Sequence, residues 1–209
     1  MKYHKLTENA AKPSGFWGKM MIKAMNKGHS SLTDWGLSYI DIPLNSTLLD
    51  VGCGGGRTVS KLCRMVGNGK VYGIDYSELC VSKSKKLNQK NILCSKADII
   101  KASVSLLPFD DEKFDVVTAV ETYYFWPDKL EGLKEINRTL KHGGKILLIF
   151  EMLKTDDNPN KWQPIEKRLN ISAVTKDEIG EILLRAGYQN IQLHTKDGTS
   201  WLCAIAEKE

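Results

Sequence analysis

Seven consecutive residues constrain this chain more than any other stretch: Asp50-Val51-Gly52-Cys53-Gly54-Gly55-Gly56. They continue the apolar run Thr47-Leu48-Leu49 and precede Arg57 to Val66, where Val59, Leu62, Cys63 and Val66 recur at helical spacing. A glycine turn between a strand and a helix lets the main chain approach a ligand where side chains would block it. Such a turn lies at the carboxyl end of its strand, where open α/β sheets bind their ligands. The feature therefore predicts an architecture together with the edge of it that functions.

The rest of the chain keeps the alternation that a mostly parallel sheet covered on both faces requires. Lys70 to Asp75 reads as a second strand, with Ser77 as N-cap of the next helix. Asn91 to Lys96 is a weaker third strand, and Phe114 to Ala119 a fourth. A helix is predicted from near Pro127, suited to a first turn, to Leu140; His142-Gly143-Gly144 then breaks the chain before a fifth strand, Lys145 to Phe150. Residues 151–174 show no clear periodicity. Thr175 to Glu178 has the form of a capping box opening a helix that Gly187 ends. Strands over Asn190–His194 and Ser200–Ala206 flank the turn Lys196-Asp197-Gly198 as a hairpin.

At 209 residues the chain fits one sandwich domain, expected over 46–209, and an extension over 1–45. The extension reads as helices over 16–25 and 31–40 with Gly28 between them as a hinge. It is either additional packing or a lid over the ligand site.

No apolar run approaches the roughly 20 residues that a membrane-spanning helix needs, and no apolar leader follows the charged start, so a cytoplasmic protein is expected. The five cysteines include no CxxC pair and suit neither a zinc site nor a disulfide framework. A net charge of +5 is too weak and dispersed to predict nucleic-acid binding, since the Lys83, Lys85 and Lys86 group suits a solvated helix face. The oligomeric state is left open, a dimer included.

Charge narrows the ligand. Asp50 stands two residues before Gly52, where a carboxylate would repel the phosphates of a dinucleotide and attract a cationic amino-acid tail. Arg57 also replaces the final glycine of GxGxxG. Both points favour S-adenosylmethionine over a nicotinamide cofactor. Asp75, at the end of the second strand with Tyr76 beside it, can accept both hydroxyls of a ribose. Asp98 is placed to accept an adenine amine, with Ile99 packed on the ring.

Together DxGxGxG, a strand-end Asp, and Ala97-Asp98 followed by Leu107-Pro108-Phe109 and Phe114-Asp115-Val116-Val117 resemble class I S-adenosylmethionine-dependent methyltransferases, particularly those of ubiquinone and menaquinone biosynthesis. The resemblance covers about residues 48–150. It implies a Rossmann-like three-layer sandwich with a seven-stranded sheet in the order 3-2-1-4-5-7-6, strand 7 antiparallel. It also implies that Asp50, Gly52 and Gly54 line the methionine end, Asp75 the ribose, and Asp98 with Ile99 the adenine. A small-molecule acceptor is expected, because the Asn/Asp-Pro-Pro-Tyr of nucleic-acid amino-methyltransferases is replaced after the fourth strand by Val120-Glu121-Thr122-Tyr123-Tyr124-Phe125-Trp126. Where such enzymes often carry a His, Glu121 or a tyrosine stands. Glu121 is a candidate for both cofactor contact and proton transfer, and Tyr124 and His29 are the other candidate bases. A non-catalytic S-adenosylmethionine-binding module is the competing expectation.

Overall fold

A computed structural model describes residues 30–209. The helix expected over 16–25, the hinge at Gly28 and the candidate base His29 lie outside the described residues. In chain order the elements are α1 (Ser30–Leu37), β1 (Thr47–Val51), α2 (Arg57–Met65), β2 (Lys70–Asp75), α3 (Glu78–Leu87), α4 (Gln89–Leu93) and β3 (Ala97–Lys101). They continue with β4 (Phe114–Val120), α5 (Lys129–Thr139), β5 (Leu140–Phe150), α6 (Gln163–Leu169), α7 (Lys176–Arg185), β6 (Tyr188–Thr195) and β7 (Leu202–Lys208).

The strands form one sheet in the order β3-β2-β1-β4-β5-β7-β6. Strands β1 to β5 pair in parallel, and β7 runs antiparallel between β5 and β6. This is the expected Rossmann-like order. One face of the sheet packs on α5 and α7 through Leu133, Ile136, Ile179 and Leu183. The other packs on α2 and α3 through Val59, Leu62, Cys63 and Val81. Helix starts follow local chemistry. Ser77 accepts from the Cys80 N–H, and Thr175 and Glu178 close the expected capping box.

Three expectations are corrected. The third strand begins at Ala97, six residues later than Asn91. Residues 89–93 form a short helix instead, Leu93 is 78% exposed, and Ser95 turns the chain at φ 60°. The period-two burial that marks a strand starts only with Ala97 and Ile99. Pro127 lies outside α5, whose cap is Asp128, accepting from the Glu131 N–H at 3.0 Å. His142-Gly143-Gly144 does not interrupt the chain before a strand but sits inside β5, which pairs with β4 around an irregularity between Phe114 and Val116.

Of the extension, helix α1 is described, and it packs on the sheet: Leu32 and Leu37 are buried with Ile149, Cys203 and Ile205, and Trp35 packs on Trp201 at 5.7 Å. An apolar helix face of this kind is held by burial on the sheet.

The Leu107-Pro108-Phe109 motif has a structural use. Arg138 of α5 donates to the carbonyls of Phe109 at 2.9 Å and Leu107 at 3.3 Å, while Glu135 accepts from the Leu107 N–H at 2.8 Å. This brace fixes the loop that leaves β3, and with it one wall of the site.

Candidate active site

The sheet order reverses between β1 and β4, and a cleft of about 310 Å³ opens at their carboxyl ends. Gly52, Asp75, Tyr76, Val104, Thr122 and Trp126 are among its walls.

Two glycines make the loop possible. Gly52 has φ +71°, and a Cβ there would stand 2.1 Å from Thr122 Oγ1, so the ends of β1 and β4 close only over a hydrogen. Gly56 has φ +82°, and a Cβ would meet Ser84 Oγ at 2.4 Å and Asn88 Nδ2 at 2.6 Å. Asn88 donates to the Gly56 carbonyl at 2.9 Å, tying the loop to α3. Gly54 has room for a Cβ, with only the Gly52 carbonyl oxygen at 4.0 Å, but its φ of +51° also favours glycine.

Asp75 ends β2 and is 7% exposed. Its Oδ2 accepts from the Gly54 N–H at 2.9 Å and its Oδ1 from the Ser77 N–H at 2.8 Å. These bonds aim the carboxylate while leaving acceptor directions on both oxygens, which have about four between them. Burial raises its pKa above the usual carboxylate range. Tyr76 lines the cleft, with its phenol pushed to about 12 by burial.

Asp50 lies one layer further in. It is 2% exposed, accepts from Thr118 Oγ1 at 2.8 Å, and is not among the cleft-lining residues. Burial pushes its carboxyl up to about 7. It can act on a bound cation only as a charge behind the glycine loop.

Glu121 follows β4 at φ +57°, an uncommon conformation for a side chain of this type. One carboxylate oxygen accepts from the Glu151 N–H and, at 3.3 Å, from the Tyr124 hydroxyl. That hydroxyl accepts in turn from the Met152 N–H at 3.1 Å. The network ties the end of β4 to the end of β5. Burial pushes Glu121 to about 8 and Tyr124 well above its ordinary value, so Tyr124 holds its proton at neutral pH.

Asp98 and Ile99 are not brought to the site. Asp98 pairs with Tyr72, three residues before Asp75, about 10 Å short of the carboxyl edge at the rise of a strand. Ile99 is 1% exposed and packs in the core beneath α2. The residues that follow β3 into the cleft are Ala102, Ser103 and Val104. The early placement of the third strand concealed them, and the alternation of Ala97 and Ile99 was the signal that would have revealed them. Thr122 was also missed as a wall residue, since nothing local marks which side chains after β4 turn inward.

A cleft of this volume at the switch point, with an aimed carboxylate and a side-chain-free loop, fits an adenosine-bearing ligand. Residues 49–148 match the family model described as a methyltransferase domain. The chain is 25% identical over 182 residues to the uncharacterized methyltransferase YdaC of Bacillus subtilis, covering 86% of this chain and 93% of that protein. Over 136 residues it is 35% identical to a demethylmenaquinone methyltransferase of Staphylococcus saprophyticus, 64% of this chain but 50% of the relative, so it spans about half of that protein. A SAM-dependent methyltransferase structure from Aquifex aeolicus superposes with a TM-score of 0.69 at 22% identity, covering 88% of this chain and 95% of that one, a likeness of fold. Family match, strand order and glycine loop together make residues 49–148 a class I S-adenosylmethionine-dependent methyltransferase domain.

Proposed function

We propose that the chain transfers a methyl group from S-adenosylmethionine to a small-molecule acceptor. The observation that carries this reading is the adjacency of two cavities. The 310 Å³ cleft shares Phe125 and Trp126 with a second cavity of about 380 Å³, so a cofactor and an acceptor can meet across these two rings.

When bound, S-adenosylmethionine supplies a sulfonium-borne methyl group to a nucleophile. Asp75 would hold the ribose hydroxyls through its remaining acceptor directions. The main chain at Gly52 and Gly54 would approach the methionine end, with Asp50 providing negative charge behind it. Tyr76 and Val104 would flank the base in place of Asp98 and Ile99. Methyl transfer of this kind depends mainly on alignment and exclusion of water, and alignment alone is worth up to roughly 7–11 kcal/mol.

Glu121 is the proposed recipient of a proton from an acceptor that must lose one, although it lines neither cavity and would have to be reached from the end of β4. Its two hydrogen-bond donors favour the ionised form, and a neighbouring sulfonium would favour it further. Tyr124 would serve as a donor that positions Glu121 and not as a base.

The extension over residues 1–45 is proposed as a cover for the site, and residues 1–29 of it lie outside the described residues. The Ser30 carbonyl accepts from Lys61 Nζ at 2.7 Å on the second turn of α2, so the chain joins the sandwich beside the helix that follows the glycine loop.

The test is cofactor turnover. Purified protein given S-adenosylmethionine and a fractionated metabolite extract should form S-adenosylhomocysteine in at least one fraction, and Glu121→Gln should slow it. Tight cofactor binding with no turnover in any fraction would favour the binding-module reading.

A further inference from the structure

Helix α5 carries a glycine where its backbone has no use for one. Gly132 is not among the glycines at positive φ, and its N–H donates to the Asp128 carbonyl at 3.1 Å like that of any helical residue. Apart from proline, glycine is the residue least favoured inside a helix. The reason for it lies outside the helix. A Cβ at Gly132 would stand 3.0 Å from Trp126 Cε3 and 3.3 Å from Val104 Cγ2, closer than carbon atoms pack at their optimum. Both of those residues line the 310 Å³ cleft. Gly180 of α7 is the contrasting case: the nearest atom to its Cβ would be Leu193 Cδ1 at 4.0 Å, an ordinary contact.

Both wall residues are held against retreat. Val104 is 7% exposed, and its loop is pinned on either side of it: the Ala102 N–H donates to the Asp75 carbonyl at 3.1 Å, and the Leu107 N–H to Glu135 at 2.8 Å. Between these anchors the Leu106 N–H donates to the Ser103 carbonyl at 3.2 Å, closing a tight turn. Trp126 is 5% exposed, with the Tyr123 ring packed on it at 5.2 Å and its main-chain N–H bonded to the Tyr123 carbonyl at 3.2 Å. Close-packed surroundings of this kind transmit a push instead of absorbing it. The space that the described residues leave for Val104 is the cleft; for Trp126 it is the cleft or the cavity beside it.

We infer that Gly132 is a positioning residue for the cofactor: its missing side chain lets Val104 and Trp126 stand back against α5, and this sets the width of the cleft that takes S-adenosylmethionine. The inference rests on the transferase reading for the identity of that ligand. Glu135 and Arg138, further along α5, hold the same loop at Leu107 and Phe109, so one helix fixes both how far the wall retreats and where it is anchored.

The test is calorimetric titration of the full chain with S-adenosylhomocysteine, paired with chemical denaturation of the same variants without ligand. Gly132→Ala should bind about tenfold more weakly, a shift of the size that overpacking a close contact produces. Its denaturation midpoint should stay level or rise, because the displaced walls have the cleft to enter and alanine is the better helix residue. A role in folding alone would lower both together. Gly180→Ala, with the same helical gain and room for the methyl group, should raise the midpoint and leave the affinity unchanged. In a Val104→Ala background, which removes the atom 3.3 Å away, the loss on Gly132→Ala should shrink to about threefold or less. Equal affinity of Gly132→Ala and the unaltered chain, a midpoint that falls in step with the affinity, or an undiminished loss in the Val104→Ala background would overturn the inference. Failure of the unaltered chain to bind S-adenosylhomocysteine would count against the transferase reading itself, and the inference would fall with it.

Discussion

The two halves of the carboxyl edge are built on different terms. From Gly52 to Ser77 the polar groups are satisfied within the fold: Asp75 takes two main-chain N–H groups, and Asn88 fastens the Gly56 carbonyl. From Glu121 to Trp126 they are held in tension. Glu121 sits at positive φ with its carboxyl pushed to about 8, and Trp126 keeps a buried N–H without a partner. The difference teaches which half is settled by its own hydrogen bonds and which keeps backbone strain and an unpaired donor. Strain and unsatisfied donors persist where the surrounding structure forces them, and such places are commonly sites of function.

The comparison breaks most readily at Asp75. Asp75→Ala should lower affinity for S-adenosylhomocysteine by about 3 kcal/mol, roughly a hundredfold, because up to two charge-assisted hydrogen bonds are lost. Calorimetry on a variant that still melts cooperatively reads this directly. Unchanged affinity would reduce Asp75 to a brace for Gly54 and Ser77.

A smaller loss is expected at Gly52. Gly52→Ala places a methyl group on Thr122 at φ +71°, and strain of this kind costs about 1–3 kcal/mol. Chemical denaturation should show the loss in stability. The double variant Gly52→Ala/Thr122→Ser should recover only part of it, because the backbone strain remains.

The acid-base contrast gives the next effect. Asp50 and Glu121 both titrate higher in the fold than in the unfolded chain, at about 7 and about 8. Their contribution to the stability of the ligand-free protein is therefore fully present below about pH 4 and is lost as the pH rises through 7 and 8. Glu121→Gln should flatten the upper part of this decline, measured as melting temperature between about pH 6 and 9. A cationic ligand favours both ionised carboxylates, so the stabilisation by S-adenosylmethionine should grow over the same interval. The smallest expected effect lies in the segment preceding Ser30: hydrogen exchange over residues 15–29 should slow when S-adenosylhomocysteine is added, and unchanged exchange would remove the proposed cover.

The same division explains how much was legible in the chain. The sheet order was implied by the family resemblance, while the roles proposed for Gly52 and Asp75 follow from local signals, since a glycine turn and a strand-end acid announce themselves within a few residues. Asp98 was misplaced because Asn91 to Lys96 and Ala97 to Lys101 compete as strands, and only the burial of Ala97 and Ile99 against the helices decides between them. The packing partners of helix α1 were hidden for a similar reason. Its partners Ile149 and Cys203 are more than a hundred residues away, and apolar residues alone do not say what they pack against. The acceptor half depends on such long-range meetings throughout, with Glu121 joined to Glu151 and the cavity closed by residues 169–172.

The central claim is that the glycine loop, Asp50 and Asp75 select an adenosyl ligand with a cationic tail over a dinucleotide. Calorimetric titration of the full chain with S-adenosylhomocysteine, S-adenosylmethionine and NAD tests it most directly. The account predicts saturable binding of both adenosyl ligands and none of NAD, with S-adenosylmethionine gaining affinity as the pH rises from about 6 to 8 while Asp50 ionises. Preferential binding of NAD, or binding of neither adenosyl ligand by folded protein, would contradict it.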